Sequence, residues 1–149
     1  MPSFHTSHFG QLEYSSADTI DFGEGLPGFE SERRFVVVQQ PVHHPLVFVQ
    51  SLQSAALCFP ALPIRVISPG YEPQLSTSDL ELLGFVSQPR IGDEAAVLAL
   101  IAIHEEDPTA NLLAPIVINL QSRAAAQCID PEMRYSHRHA LAFAVETAS

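Results

Sequence analysis

A run of seven apolar residues, Leu112 to Ile118, is closed by Asn111 on one side and Asn119 on the other. Pro115 interrupts it. Proline has no backbone N–H, so within a sheet it is confined to an edge, a bulge or a strand start. The pattern predicts a strand entered at Pro115, with Ile116, Ile118 and Leu120 on one face and Val117, Asn119 and Gln121 on the other. Packing explains the apolar residues. It does not explain the polar frame, which makes Asn111 and Asn119 the first candidates for recognition.

Elsewhere the same kind of pattern yields short strands. Weak alternation over Gly10–Tyr14, resumed over Asp18–Phe22, predicts an opening hairpin. The loop from Gly23 to Gly28 holds three glycines and a proline in six residues, which shapes it, and Phe29 beyond it is expected to plug the core. Arg34–Gln39 and Leu46–Ser51 are β-branched and aromatic and predict strands, joined by a turn carrying His43 and His44. Leu57–Phe59 predicts another, after which Pro60, Pro63, Pro69 and Pro73 are expected to forbid long regular structure. Thr77–Gly84 has a Ser or Asp cap, early acids and a glycine stop, the signature of one or two helical turns.

Ala95–Ile103 is apolar on both faces, as in a strand covered on both sides. Periodicity alone also permits a helix there; the Gly92-Asp93 start and the Glu105–Thr109 stop favour a strand. Ala124–Ile129 is expected to pair back across Gln121–Arg123, and the alanine-rich end from His139 forms a short helix or a frayed tail. Seven or eight short strands and one short helix predict an all-β fold, a small antiparallel β-barrel or barrel-like sandwich. One domain is expected over 1–149, with its core at about 8–141.

Charge narrows the partners. Seventeen acidic residues face seven basic ones, all arginine, for a net charge of −10. Such a surface repels a phosphate backbone, so direct nucleic-acid binding is not expected; the acidity suits solubility or a basic protein partner. The N-terminal stretch lacks the basic and apolar regions of a signal peptide, and the apolar run at Ala95–Ile103 is too short to span a bilayer. The expected location is the cytoplasm, away from membranes. Cys58 and Cys128 belong to no metal or redox spacing and read as small core hydrophobes.

Candidate chemistry is sparse. His137 and His139 share one face of a strand, as in cupin-type metal sites, but the next acid is Glu146. His5, His8, His43 and His44 read as solvated, and Glu105–Asp107 as a solvated loop. No Gly-x-Ser-x-Gly elbow, no cysteine with a histidine beside it and no phosphate-binding glycine motif occurs. No catalytic residue, metal ligand or cofactor is nominated. The competing class is a small-ligand or metal-binding β-barrel, including an enzyme.

Five blocks resemble the bacterial flagellar assembly factor FliW family. They are Gly10-Gln-Leu12; Phe22-x-x-Gly-Leu-Pro-Gly-Phe-Glu30; Gln50-Ser51; Thr109 to Asn119 together with Gln127; and Tyr135 with Arg138-His139. The likeness runs from about residue 8 to 141. Gly23 stands where the family usually has Pro, Phe48 where it often has Trp, and Leu62 where Asp is common. The resemblance implies a non-enzymatic β-barrel that binds flagellin and CsrA, an RNA-binding translational regulator. It also implies that binding relieves repression of flagellin synthesis until accumulated flagellin reclaims the factor. The partner-binding candidates are Leu26, Gly28, Phe29, Gln50, Ser51, Asn111, Leu112, Ala114, Pro115 and Asn119.

Overall fold

The computed structural model describes residues 2–102 and 108–141. β1 (Ser3–Thr6) and β2 (Gly10–Glu13) form an antiparallel hairpin of their own. A meander follows: β3 (Thr19–Phe22), β4 (Arg34–Gln39), β5 (Val47–Ser51), β6 (Cys58–Pro63) and β7 (Ala95–Ala102), each antiparallel to the last. β7 then pairs with β9 (Ile116–Asn119), β9 with β10 (Ala124–Gln127), and β10 with β3, which closes a seven-stranded barrel. Two-residue strands β8 (Thr109–Ala110) and β11 (His139–Ala140) extend from the far end of β7.

The closing seam is parallel, with Ala124 beside Asp21 and Ala125 beside Phe22. This departs from the fully antiparallel expectation, and arithmetic requires it. Strand direction cannot alternate all the way round a ring with an odd number of members, so at least one pair must run the same way.

Period-two alternation sorts the side chains. Inward residues Ile20, Phe22, Phe35, Val49, Ala61, Leu98, Ile116 and Ile118 form one apolar cluster. A second cluster lies outside the β6–β7–β9–β10 wall, where Val97, Ala99, Val117 and Ala126 pack with Leu83, Leu112 and Leu141. Helices α1 (Ile64–Ile67) and α2 (Thr77–Leu83) belong to this side. The Ser76 hydroxyl accepts the Asp79 N–H at 3.1 Å to start α2, and Gly84 ends it at φ 79°. The expected face assignment of the Ile116 strand holds: Ile116 and Ile118 point into the barrel, Val117 and Asn119 toward the helices.

Several expectations are corrected. β2 pairs with β1 rather than with the Asp18–Phe22 strand, because a 3-10 turn at Ser16–Asp18 carries the chain onto the barrel. β6 runs through Pro60 to Pro63. The Ser51 N–H donates to the Leu57 carbonyl at 2.9 Å, and counting on in twos makes Phe48–Pro60 a non-hydrogen-bonded pair; the missing N–H therefore faces β7, whose ladder with β6 begins only at Ala61–Leu100. The described residues hold two α-helices, not one; α1 starts directly after Pro63, read above only as a breaker. His139 begins a strand, whereas residues 142–149 lie outside the described residues, as does Glu105–Asp107.

Candidate functional site

Strand direction decides which loops share an end of the barrel. β3, β5, β7 and β10 finish at one rim; β4, β6 and β9 begin there. That rim therefore gathers the Gly23–Arg33 loop, the loop after Ser51, the Asn111–Pro115 approach to β9 and the chain after Gln127. Nine of the ten partner-binding candidates fall on it. Asn119 does not: it ends β9 at the opposite mouth.

Most of the nine build the rim rather than face outward. Leu26 is buried in the inner cluster beside Phe22, Phe35 and Ile116. Its carbonyl accepts the Phe29 N–H at 2.7 Å, and the Gly28 N–H, at φ 88°, donates to the Glu30 carboxylate at 2.7 Å. Phe29 does not plug the core. It is 42% exposed, with its ring edge-on to Phe59 at 5.6 Å, because the turn that buries Leu26 directs its neighbour outward.

Gln50 is fully buried, and its Nε2 lies 3.0 to 3.5 Å from four loop carbonyls, those of Ser51, Ser54, Ala55 and Leu57. The buried Ser51 hydroxyl accepts the N–H groups of Gln53 and Ser54, both at 2.9 Å, and donates to Glu32 at 3.2 Å. Gln53 completes the join between loops: its Oε1 accepts from Arg33 and Arg34 N–H at 2.7 and 3.0 Å, and its Nε2 donates to the Ser31 carbonyl at 3.2 Å. Neither Glu32 nor Gln53 was nominated from the sequence. No period or motif marks them, because each finds its partner about 20 residues away, Gln53 on backbone and Glu32 on the Ser51 hydroxyl.

The Asn111 side chain caps the turn into β9, its Oδ1 accepting the Ala114 N–H at 2.9 Å. The Ala114 and Pro115 carbonyls accept from Gln127 Nε2 and Cys128 N–H at 3.0 and 2.9 Å, and Leu112 is buried beneath them. Asn119 is just as occupied. Its Nδ2 donates to the Leu83 carbonyl at 2.8 Å, docking the end of α2, and its Oδ1 accepts from Gln121 and Ser122 N–H at 2.9 and 3.3 Å. Both asparagines are thus engaged by their own backbone surroundings. What faces solvent near the Asn111 turn is Ile129, 60% exposed, and Met133, 68% exposed.

Burial pushes the Cys58 thiol up to about 11, and burial together with Asp79 pushes Cys128 up to about 12, which makes both poor nucleophiles. Among the described residues no group of three or more His, Cys, Asp or Glu side chains could hold a metal ion, and no helix is long and apolar enough to cross a membrane.

A closed barrel with an apolar interior, whose buried polar side chains hold loops in place at one rim, defines a small β-barrel protein with a loop-built surface. Known proteins place it further. The FliW protein family matches residues 3–141. The flagellar assembly factor FliW of Bdellovibrio bacteriovorus is 37% identical over 127 residues, 83% of this chain and 70% of that protein. That of Bacillus subtilis is 32% identical over 135 residues, 91% and 93% of the two chains. A crystal structure of the flagellar assembly factor FliW superposes with a TM-score of 0.81 at 31% identity, covering 93% of this chain and 96% of the other. The chain belongs to the FliW family of flagellar assembly factors.

Proposed function

We propose that this chain is a cytoplasmic, non-catalytic flagellar assembly factor that binds flagellin and a CsrA-type translational regulator, and that the loop-built rim carries recognition. The observation behind this reading is convergence: four blocks distant in sequence meet on one rim, held there by Gln50, Ser51, Gln53 and Asn111. An exposed aromatic on a rigid loop is the kind of residue that anchors an interface, and Phe29 is such a residue. Leu26, Gln50 and Leu112 then act by holding the loops that present it.

Charge supports the regulator as second partner, since a −10 chain attracts a basic protein and repels RNA. Purified chain is mixed with flagellin and with the regulator, separately and together, and association rates are followed across a salt series. The Debye length shrinks from about 10 Å at 0.1 M to about 3 Å at 1 M, so regulator association slows steeply while flagellin association responds less. Phe29→Ala is expected to weaken binding at least tenfold without loss of fold. No binding to either protein would overturn the function. Full affinity in the Phe29→Ala variant would overturn the rim, and equal salt slopes would reduce the acidity to a solubility feature.

A further inference from the structure

The end of the barrel opposite the loop-built rim is not filled. Val37, Val47, Ala96, Leu98 and Ile118 point inward there and leave an apolar cavity of about 320 Å³ open at the mouth. That lies in the size range of small-molecule sites, which are mostly apolar with a few placed polar groups. The polar groups are Gln39, Arg65 and Arg123. Two of the chain's seven arginines thus meet at one apolar opening, and none of the described residues lining it is one of the seventeen acids.

Arg123 is fixed in place. Its backbone sits at φ 68°, a conformation uncommon outside glycine, with its N–H on the Asn119 carbonyl at 2.7 Å. Its Nε and Nη2 donate to the Thr19 and Asp18 carbonyls at 3.2 and 3.3 Å. A guanidinium has five N–H donors, so three are left over, and no carboxylate pairs with this one among the described residues. Arg65 differs: it is committed to Glu72 at 3.1 Å and to the Tyr71 carbonyl at 3.1 Å.

We propose that the barrel mouth is a binding site for a medium-chain carboxylate, its apolar chain lying against Val37, Leu98 and Ile118 and its head group on Arg123. An apolar pocket alone would accept any hydrophobe. The held, unpaired cation at its lip selects an anionic end, and a planar guanidinium suits a carboxylate. This site is independent of the partners proposed above and lies at the other end of the barrel.

The test is calorimetric titration of the full chain with octanoate, and with octanol as the neutral counterpart. Amide shifts of isotope-labelled protein locate the site. Octanoate is expected to saturate, to shift Val37, Ala96, Ile118 and Arg123 while leaving Gly28 and Phe29 unmoved, and to bind at least tenfold tighter than octanol. Lengthening the chain tightens binding about fourfold per methylene until the cavity is full. Arg123→Gln removes the preference for octanoate over octanol. Should that variant not fold, Gln39→Glu, at an exposed position, sets a repelling charge at the mouth and lowers octanoate affinity alone. Equal affinity for acid and alcohol, shifts confined to the other rim, or no saturable binding would each overturn the proposal. So would a short apolar peptide with a free C-terminus binding at the mouth where octanoate does not.

Discussion

Gln50 offers a test of how the rim is held. Its amide nitrogen has two hydrogens for four carbonyls, while its Oε1 is buried and finds no donor among the described residues. Two hydrogen bonds contribute about 2 kcal/mol, and an unsatisfied buried acceptor costs about 1–3 kcal/mol, so the two nearly cancel. The Ser54, Ala55 and Leu57 carbonyls also each accept a backbone N–H, so losing the amide does not orphan them. Gln50→Met should therefore lie within about 1 kcal/mol of the native chain. Gln50→Glu is different. A neutral carboxyl can still donate one hydrogen to the carbonyls; a carboxylate can only repel them. The folded state thus raises the pKa of the new group above its unfolded value near 4.3 and holds the proton that the unfolded chain releases. Stability relative to native is then kept below about pH 4.3 and falls by about 1.4 kcal/mol per pH unit up to the folded pKa. Between pH 5.5 and 7.5 this amounts to about 2.7 kcal/mol. Urea unfolding of the three chains at several pH values, followed by circular dichroism, measures it. Parallel pH curves for the native chain and Gln50→Glu, or Gln50→Met proving the weaker variant at pH 7.5, would refute the reasoning.

Other outcomes follow from the same geometry. Asn111→Ala, losing one cap bond, should cost about 1 kcal/mol, and Asn119→Ala, losing three, about 2–3 kcal/mol; denaturant midpoints decide the order, and only Asn111→Ala should also weaken partner binding. Gly25→Ala should destabilise by about 1–3 kcal/mol, since its φ is 74° and a Cβ would meet the backbone of Glu30, whereas Gly23→Ala, facing open space, should be near neutral in melting temperature. The folded chain should react with iodoacetamide at pH 8 about a hundredfold more slowly than the unfolded chain, because Cys58 is raised from 9.0 to about 11 and Cys128 to about 12. Both folded thiols hold their protons longer than unfolded ones, so their contribution to stability is whole below pH 9 and declines as pH rises toward about 11 for Cys58 and about 12 for Cys128.

The strands were legible where composition repeats on a short period. Phe35 to Val38 and Ala95 to Ala102 announce themselves, and Ser76 with Gly84 marks both ends of α2. Pro60 misled because a proline's effect depends on which neighbour its missing N–H faces, and that is set by register. Asn119 stood out as a polar residue framing an apolar strand and read as a candidate for recognition, but its partner, the Leu83 carbonyl, is 36 positions away and no local pattern could supply it. The mouth was hidden for the same reason: Arg123 reaches Thr19 across 104 positions. The blocks that carry the family likeness were legible as words, but their meeting on one rim came only from strand direction.

The parallel seam also sets an order of events during synthesis. β3 leaves the ribosome about a hundred residues before β10, and until β10 arrives both β3 and β9 present raw edges, the kind that recruit strands from other chains. The meander β3 to β7 can assemble from neighbours, but the ring is sealed only once Ala124–Gln127 has been made. A chain cut short before Ala124 therefore leaves an open sheet with two unpaired edges instead of a smaller barrel.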